Sequence, residues 1–206
     1  MKEITITEGL CELKTLTNRI NSKTAGITFI GSHQSGKTVT GFATNDDFTS
    51  KVKSDFESVK ALIAERNKIK SAIVNSNATT KVIIGTKDYT VAEAIERKNS
   101  ISYEKELLLK MVQQCQYVLA GVDRANKEVQ NKLDVVINTT FGKDSKVDAD
   151  QIKSLTDNYM KLNEVKIIDP LNVKDKIDKM SDDIDTFLKD VDIQLSISNA
   201  TTKIKF

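Results

Sequence analysis

The sequence predicts a mainly α fold of internally duplicated long helical hairpins, coiled-coil-like in pattern, with short β-hairpins or ribbons at their ends. Three observations predict it. The chain has only one proline and eight glycines in 206 residues, whereas a turn-dense all-β chain of that length would need far more of both. Apolar residues recur at helical or heptad spacing over most of its length. The hexapeptide Ser-Asn-Ala-Thr-Thr-Lys occurs twice, at Ser76–Lys81 and at Ser198–Lys203, each time closing a helical pattern and opening a β-prone tail.

A weaker echo joins Thr5-Ile6-Thr7-Glu8-Gly9-Leu10 to Thr90-Val91-Ala92-Glu93-Ala94-Ile95. In both, a Thr stands three residues before a Glu. That is the spacing of a capping box, in which hydroxyl and carboxylate satisfy the free N–H groups of a helix start. The chain therefore reads as a single domain, 1–206, built from two related copies, about 1–85 and 89–206. Each copy begins with a helix, passes through an irregular or stranded middle, runs up a second helix and ends on the repeated strand.

The elements follow in order. After the opening helix, Ile27–Ile30 and Val39–Ala43 read as strands. Val52, Phe56, Val59, Ile63, Ile69 and Ile73 fall mostly on one face of a helix from about Phe48 to Asn75, followed by a strand over Thr79–Ile84. Ala94, Ile101, Leu108, Cys115, Val122, Val129 and Val136 then recur every seven residues. Over 91–137 this pattern describes a helix of roughly 65 to 70 Å at ~1.5 Å per residue. Gly121 and Asn126 interrupt it, leaving open two helices meeting near Gly121, or one continuous helix with Asn126 setting its register. A short helix over Asp148–Leu162, a strand over Val165–Ile168, a helix from Asn172 to Ser196 and a strand over Thr201–Phe206 complete the chain. The last helix shows Val173, Ile177, Met180, Ile184, Phe187, Val191 and Leu195 in steps of three and four, with Pro170 before it and Asn172 as its cap.

Composition narrows the function. No apolar run approaches the ~18 residues of a membrane span, and no basic-then-apolar signal peptide opens the chain, so the expected location is the cytoplasm and no membrane partner is expected. A net charge of +2, from 31 basic and 29 acidic side chains, does not advertise DNA or RNA. The charge is unevenly spread: residues 1–103 carry 15 Lys/Arg against 11 Asp/Glu, and residues 104–206 carry 16 against 18. Cys11 and Cys115 form no ligand cluster and read as small core residues, so no metal and no cofactor is expected. With one histidine, no Ser-His-Asp or Cys-His arrangement suggests itself, and the chain leans away from an enzyme.

One motif carries chemistry. Gly31-Ser32-His33-Gln34-Ser35-Gly36-Lys37-Thr38 satisfies G-x-x-x-x-G-K-[ST], the phosphate-loop pattern, after the apolar run Ile27–Ile30. In a working loop the backbone N–H groups wrap phosphates, Lys37 reaches the outer ones and Thr38 ligates magnesium. The context argues otherwise, because β-prone Val39-Thr40-Gly41-Phe42 follows where a helix should start. Three readings stay open: a P-loop ATPase or GTPase, a β-hairpin whose tip spells the motif, and an anion-binding loop that hydrolyses nothing. The helix at 51–70 is basic and its counterpart at Asp178–Asp192 acidic, which gives either mutual complementarity or a basic surround for a phosphorylated ligand. The candidate ligand contacts are Gly31, Ser32, His33, Ser35, Gly36, Lys37, Thr38, Arg66, Arg97 and Lys98.

The opening helix, the stretch from Val74-Asn75-Ser76-Asn77-Ala78-Thr79-Thr80 through Tyr89-Thr90-Val91-Ala92-Glu93-Ala94-Ile95-Glu96-Arg97, and the final Ser198-Asn199-Ala200-Thr201-Thr202 resemble the septicolysin-like family of small bacterial and phage proteins. The resemblance covers most of the chain. It implies a helical fold and transfers no catalytic residue; the GSHQSGKT loop and the acidic stretch around Lys143–Asp150 depart from it. Occurrence of the family in phages implies a counter-defence role. The leading expectation is a non-enzymatic helical homo-oligomer that binds a small anionic, nucleotide-like ligand, as a phage sponge sequesters a defence-signalling nucleotide. A structural or interaction protein built on the coiled coil is the alternative, and a P-loop NTPase the third.

Overall fold

The computed structural model describes residues 2–142 and 149–206, so residues 143–148 of the acidic stretch lie outside the described residues. Among those described, the order is β1 (Glu3–Thr5), α1 (Ile6–Ala25), α2 (Asn45–Thr79), β2 (Lys81–Ile84), β3 (Lys87–Thr90), α3 (Val91–Phe141), α4 (Ala149–Asn163), α5 (Val173–Thr201) and β4 (Lys203–Lys205). The fold is mainly helical, with two antiparallel two-stranded ribbons, β1–β4 and β2–β3. Two compact units divide the chain: Met1–Asn99 with Thr186–Phe206, and Ser100–Asp185. The first unit contains all of the first copy and both ends of the second.

The repeated hexapeptide ends a helix and starts a strand in the same way at both sites. Thr80 N–H donates to the Ser76 carbonyl at 2.8 Å, and Thr202 N–H to the Ser198 carbonyl at 2.9 Å. Their hydroxyls lie 3.3 Å apart at Ser76 and Thr80, and 3.5 Å apart at Ser198 and Thr202. Each strand then pairs with the strand that precedes a capping-box helix. Lys203 lies opposite Thr5, and Lys81 opposite Thr90. The first helical N–H completes the junction, Ile6 donating to Thr202 and Val91 to Thr80 at 3.0 and 2.9 Å.

The partners are crossed between copies. β1 belongs to the first copy and pairs with β4 of the second, while β2 of the first pairs with β3 of the second. Both ribbons thus join one copy to the other. β1 and β3 escape the sequence reading because strands of three or four half-polar residues are defined by their partners, not by their own alternation. The β2–β3 turn is made by Gly85 and Thr86; Gly85 has φ +60, and a Cβ there would lie 2.6 Å from the Thr186 side chain. At the other ribbon Lys2 and Phe206 exchange backbone hydrogen bonds of 3.0 and 3.2 Å, the place that Lys87 and Ile84 hold in the first.

α1 and α2 pack through Ile6, Leu13, Leu16, Ile69 and Ile73, with Ile204 of β4 completing the cluster. Gly9 makes the approach close, since a Cβ would stand 3.2 Å from Ile204 and 3.4 Å from Ile73. In the second copy Val191 stands seven residues before Ser198, as Ile69 does before Ser76, and both are fully buried. The expected α5 face is covered throughout, with Ile184, Phe187 and Val191 innermost.

Several expectations need correction. No strand forms over Ile27–Ile30, Val39–Ala43 or Val165–Ile168; in the first two the apolar residues have no partner strand and serve a loop instead. α3 is one continuous helix of 51 residues, and Asn126 does not set a register. Its side chain instead brackets Val165, donating to the carbonyl at 2.9 Å and accepting from the N–H at 2.8 Å. Asp169, not Asn172, caps α5: its carboxylate accepts from Val173 N–H at 2.8 Å, while Asn172 sits at φ +51. Cys11 is exposed on α1 and Cys115 half-buried on α3, so neither is a core residue.

Because the ribbons are equivalent, a circular permutant that joins Phe206 to Lys2 through Gly-Thr and opens the chain between Gly85 and Thr86 is expected to keep the wild-type circular dichroism and cooperative melting; an uncooperative permutant would break the equivalence. The capping boxes also set a pH dependence. Thr5 N–H and Thr90 N–H donate to Glu8 and Glu93 at 2.8 and 2.7 Å, and these backbone bonds, then the Thr hydroxyls, hold both carboxyls below the usual carboxylate range. A lowered folded-state pKa stabilises the protein above the unfolded value, about 4.3 for Glu, and that share is lost as pH falls through the folded value. Glu8→Gln and Glu93→Gln should therefore lower Tm at pH 7 and differ much less from wild type near pH 3, read by thermal denaturation at both pH values.

Candidate functional site

The phosphate-loop-like segment lies in the long connection Gly26–Thr44 between α1 and α2. Neither flanking element of a P-loop is present: no strand enters and no helix starts at Lys37, α2 beginning only at Asn45. The loop is pinned at its base instead. Val39 is buried and donates its N–H to Asn45 Oδ1 at 3.1 Å, and the Phe42 and Phe48 rings meet edge to face at 5.1 Å. Gly31 lets the chain pass over this small cluster, since a Cβ would stand 2.8 Å from Val39 and 2.9 Å from Phe48. Of the apolar residues that suggested strands, Val39 and Phe42 supply this anchor, while Phe29 and Ile30 stand exposed.

Gly31, Ser32, His33, Ser35, Gly36, Lys37 and Thr38 are all exposed. Gly36 turns the tip at φ +80, and Lys37 N–H donates to the Gln34 carbonyl at 2.9 Å. His33 Nδ1 lies 3.1 Å from that same carbonyl. The Thr38 hydroxyl, which a magnesium site would need, donates to the Phe42 carbonyl at 3.1 Å. The Lys37 ammonium, by contrast, has no ion pair among the described residues.

The other basic candidates are engaged elsewhere. Arg66 Nε donates to the Thr17 hydroxyl at 3.3 Å, tying α2 to α1. Arg97 lies over the Phe187 ring, 4.4 Å from its centroid, and donates to the Tyr89 hydroxyl at 2.6 Å. With the Tyr89 and Phe187 rings edge to face at 5.8 Å, the guanidinium clamps β3 and the start of α3 onto α5. Lys98 pairs with Asp192 on α5. The partners just named for these three residues all lie in the first unit and outside the loop.

A second feature was not read from the sequence. In the unit Ser100–Asp185, α3 leaves Tyr103, Leu107 and Tyr117 73%, 55% and 82% exposed. With Lys110 and Gln114 they form a series in steps of four and three, the spacing of a helix-packing stripe. It runs beside the stripe of Ile101, Leu108 and Cys115, which is buried or half-buried. The heptad of the covered face, and the Lys and Gln within the second series, masked it. Comparison of the chain with family models, curated proteins and solved structures finds no match.

Proposed function

We propose that this chain is a non-enzymatic interaction protein that self-associates through the second stripe of α3. One observation carries the reading: two tyrosines and a leucine stand in water at helix-packing spacing, beside a stripe of the same helix that is buried at Ile101 and half-buried at Leu108 and Cys115. Aromatic residues are enriched where surfaces meet, and Lys110 and Gln114 within the series would fix register as polar positions do in coiled coils. Light scattering after size-exclusion chromatography should show a concentration-dependent oligomer that Leu107→Glu with Tyr117→Lys returns to monomer, the circular dichroism unchanged. A wild-type protein that stays monomeric at its highest soluble concentration would sink the proposal.

A second reading is favoured by the loop. Irregular connections longer than about 12–15 residues are uncommon in compact domains and usually functional, and this one presents Ser32, His33, Ser35 and a Lys37 without an ion pair among the described residues, on a fixed base. An anionic, nucleotide-like ligand held there is the chemistry such a tip supports. The contact set is narrower than expected, because Thr38, Arg66, Arg97 and Lys98 have other partners. Sequestration of a signalling nucleotide, as the septicolysin-like resemblance suggests, is the sharper form of this reading, and the loop's flanks give a P-loop ATPase or GTPase no support. A panel of cyclic and linear nucleotides should contain at least one that raises Tm, and Lys37→Ala should abolish the rise. A flat panel would remove this reading and leave the first intact.

A further inference from the structure

The unit Ser100–Asp185 holds a cavity of about 390 Å³, within the range of small-molecule sites. Met111, Cys115 and Leu119 of α3 form one wall, and Ile167, Leu171 and Val173 the other. The second wall belongs to the irregular segment between α4 and α5 and to the first residue of α5, and the segment is fixed at both ends. Asn126 brackets the backbone of Val165. Asp169 accepts from Leu171 N–H at 3.2 Å and from Val173 N–H at 2.8 Å. These bonds hold the segment in place without filling the space before it, so the cavity is formed before anything enters.

The polar groups at the cavity are unequal. The Asp169 carboxylate is spent on the N–H groups of Leu171 and of Val173, the first residue of α5, which also removes that helix end as an anion site. Lys174 and Gln114 also line the cavity, and neither the ammonium nor the amide has a hydrogen-bond or ion-pair partner among the described residues. A single cation beside a neutral amide suits a monoanion with two acceptor oxygens. A dianionic phosphate would meet only one cation and would face the Asp169 carboxylate. We propose that the cavity binds a small amphipathic carboxylate, its aliphatic body between the two apolar walls and its head between Lys174 and Gln114.

Laurate, kept below its critical micelle concentration, is the probe, with dodecyltrimethylammonium as the opposite head group on the same tail. Calorimetric titration of the full chain should give saturable one-to-one binding of laurate. Lys174→Glu, a surface change, should weaken laurate at least tenfold and reverse the preference between the two head groups. Cys115→Phe, which fills the cavity, should abolish both while circular dichroism confirms folding. The proposal is overturned if laurate gives no saturable heat with the wild type, or if both head groups bind alike and ignore Lys174→Glu. It also fails if a second copy occupies the cavity, seen as a dimer that Ile168→Asp dissociates and that takes up no laurate. Self-association through Tyr103, Leu107 and Tyr117 shares only Gln114 with this site, and Leu107→Glu with Tyr117→Lys changes no residue of the cavity lining, so laurate binding by that variant tells the two apart.

Discussion

Everything in the first unit depends on a single junction made twice: a helix ends on Ser-x-x-x-Thr, the chain turns into a strand, and that strand meets the residues just ahead of a Thr-x-x-Glu helix. Three kinds of bond coincide there. The ladder fixes register, the hydroxyl and carboxylate cap the new helix, and its first N–H is taken by the carbonyl of the outgoing Thr. Buried backbone groups left unpaired at such a crossing would each cost about 1–3 kcal/mol. Here the hexapeptide and the cap satisfy them, and the apolar cluster of Ile6, Leu13, Ile69, Ile73 and Ile204 assembles on that frame.

What was legible in the sequence was whatever depends on local spacing. The capping boxes, the hexapeptide and the three-and-four rhythm of α5 all appear where expected, because helix starts and apolar stripes are encoded within a few residues of themselves. What failed depended on a partner. Ile27–Ile30 has the composition of a strand but no strand lies beside it, whereas Lys87–Thr90 hardly looks like one and becomes one through Lys81–Ile84. Asn126 shows the same limit: a polar residue on a heptad suggested register, and its partner proved to be the backbone of Val165.

The candidate site was half legible. The eight residues of the GSHQSGKT segment do form an exposed, anchored loop, and their spacing found it. The chemistry implied by the motif was not carried by spacing alone, since it needs a strand and a helix that the flanking sequence does not supply. Arg66, Arg97 and Lys98 were drawn to the loop by charge, yet each has a nearer partner: a hydroxyl, an aromatic pair and a carboxylate. The stripe of Tyr103, Leu107 and Tyr117 escaped notice because the same helix displays a stronger rhythm on its other face.

The crossing of the ribbons bears on length. Each ribbon ties a strand that precedes Thr86 to one that follows it, so the helix ends are held at the ribbons whatever the size of the segments between them. The two connections between helices therefore need not match. One is the anchored loop at 26–44, and the other holds most of α3, with α4 and the start of α5.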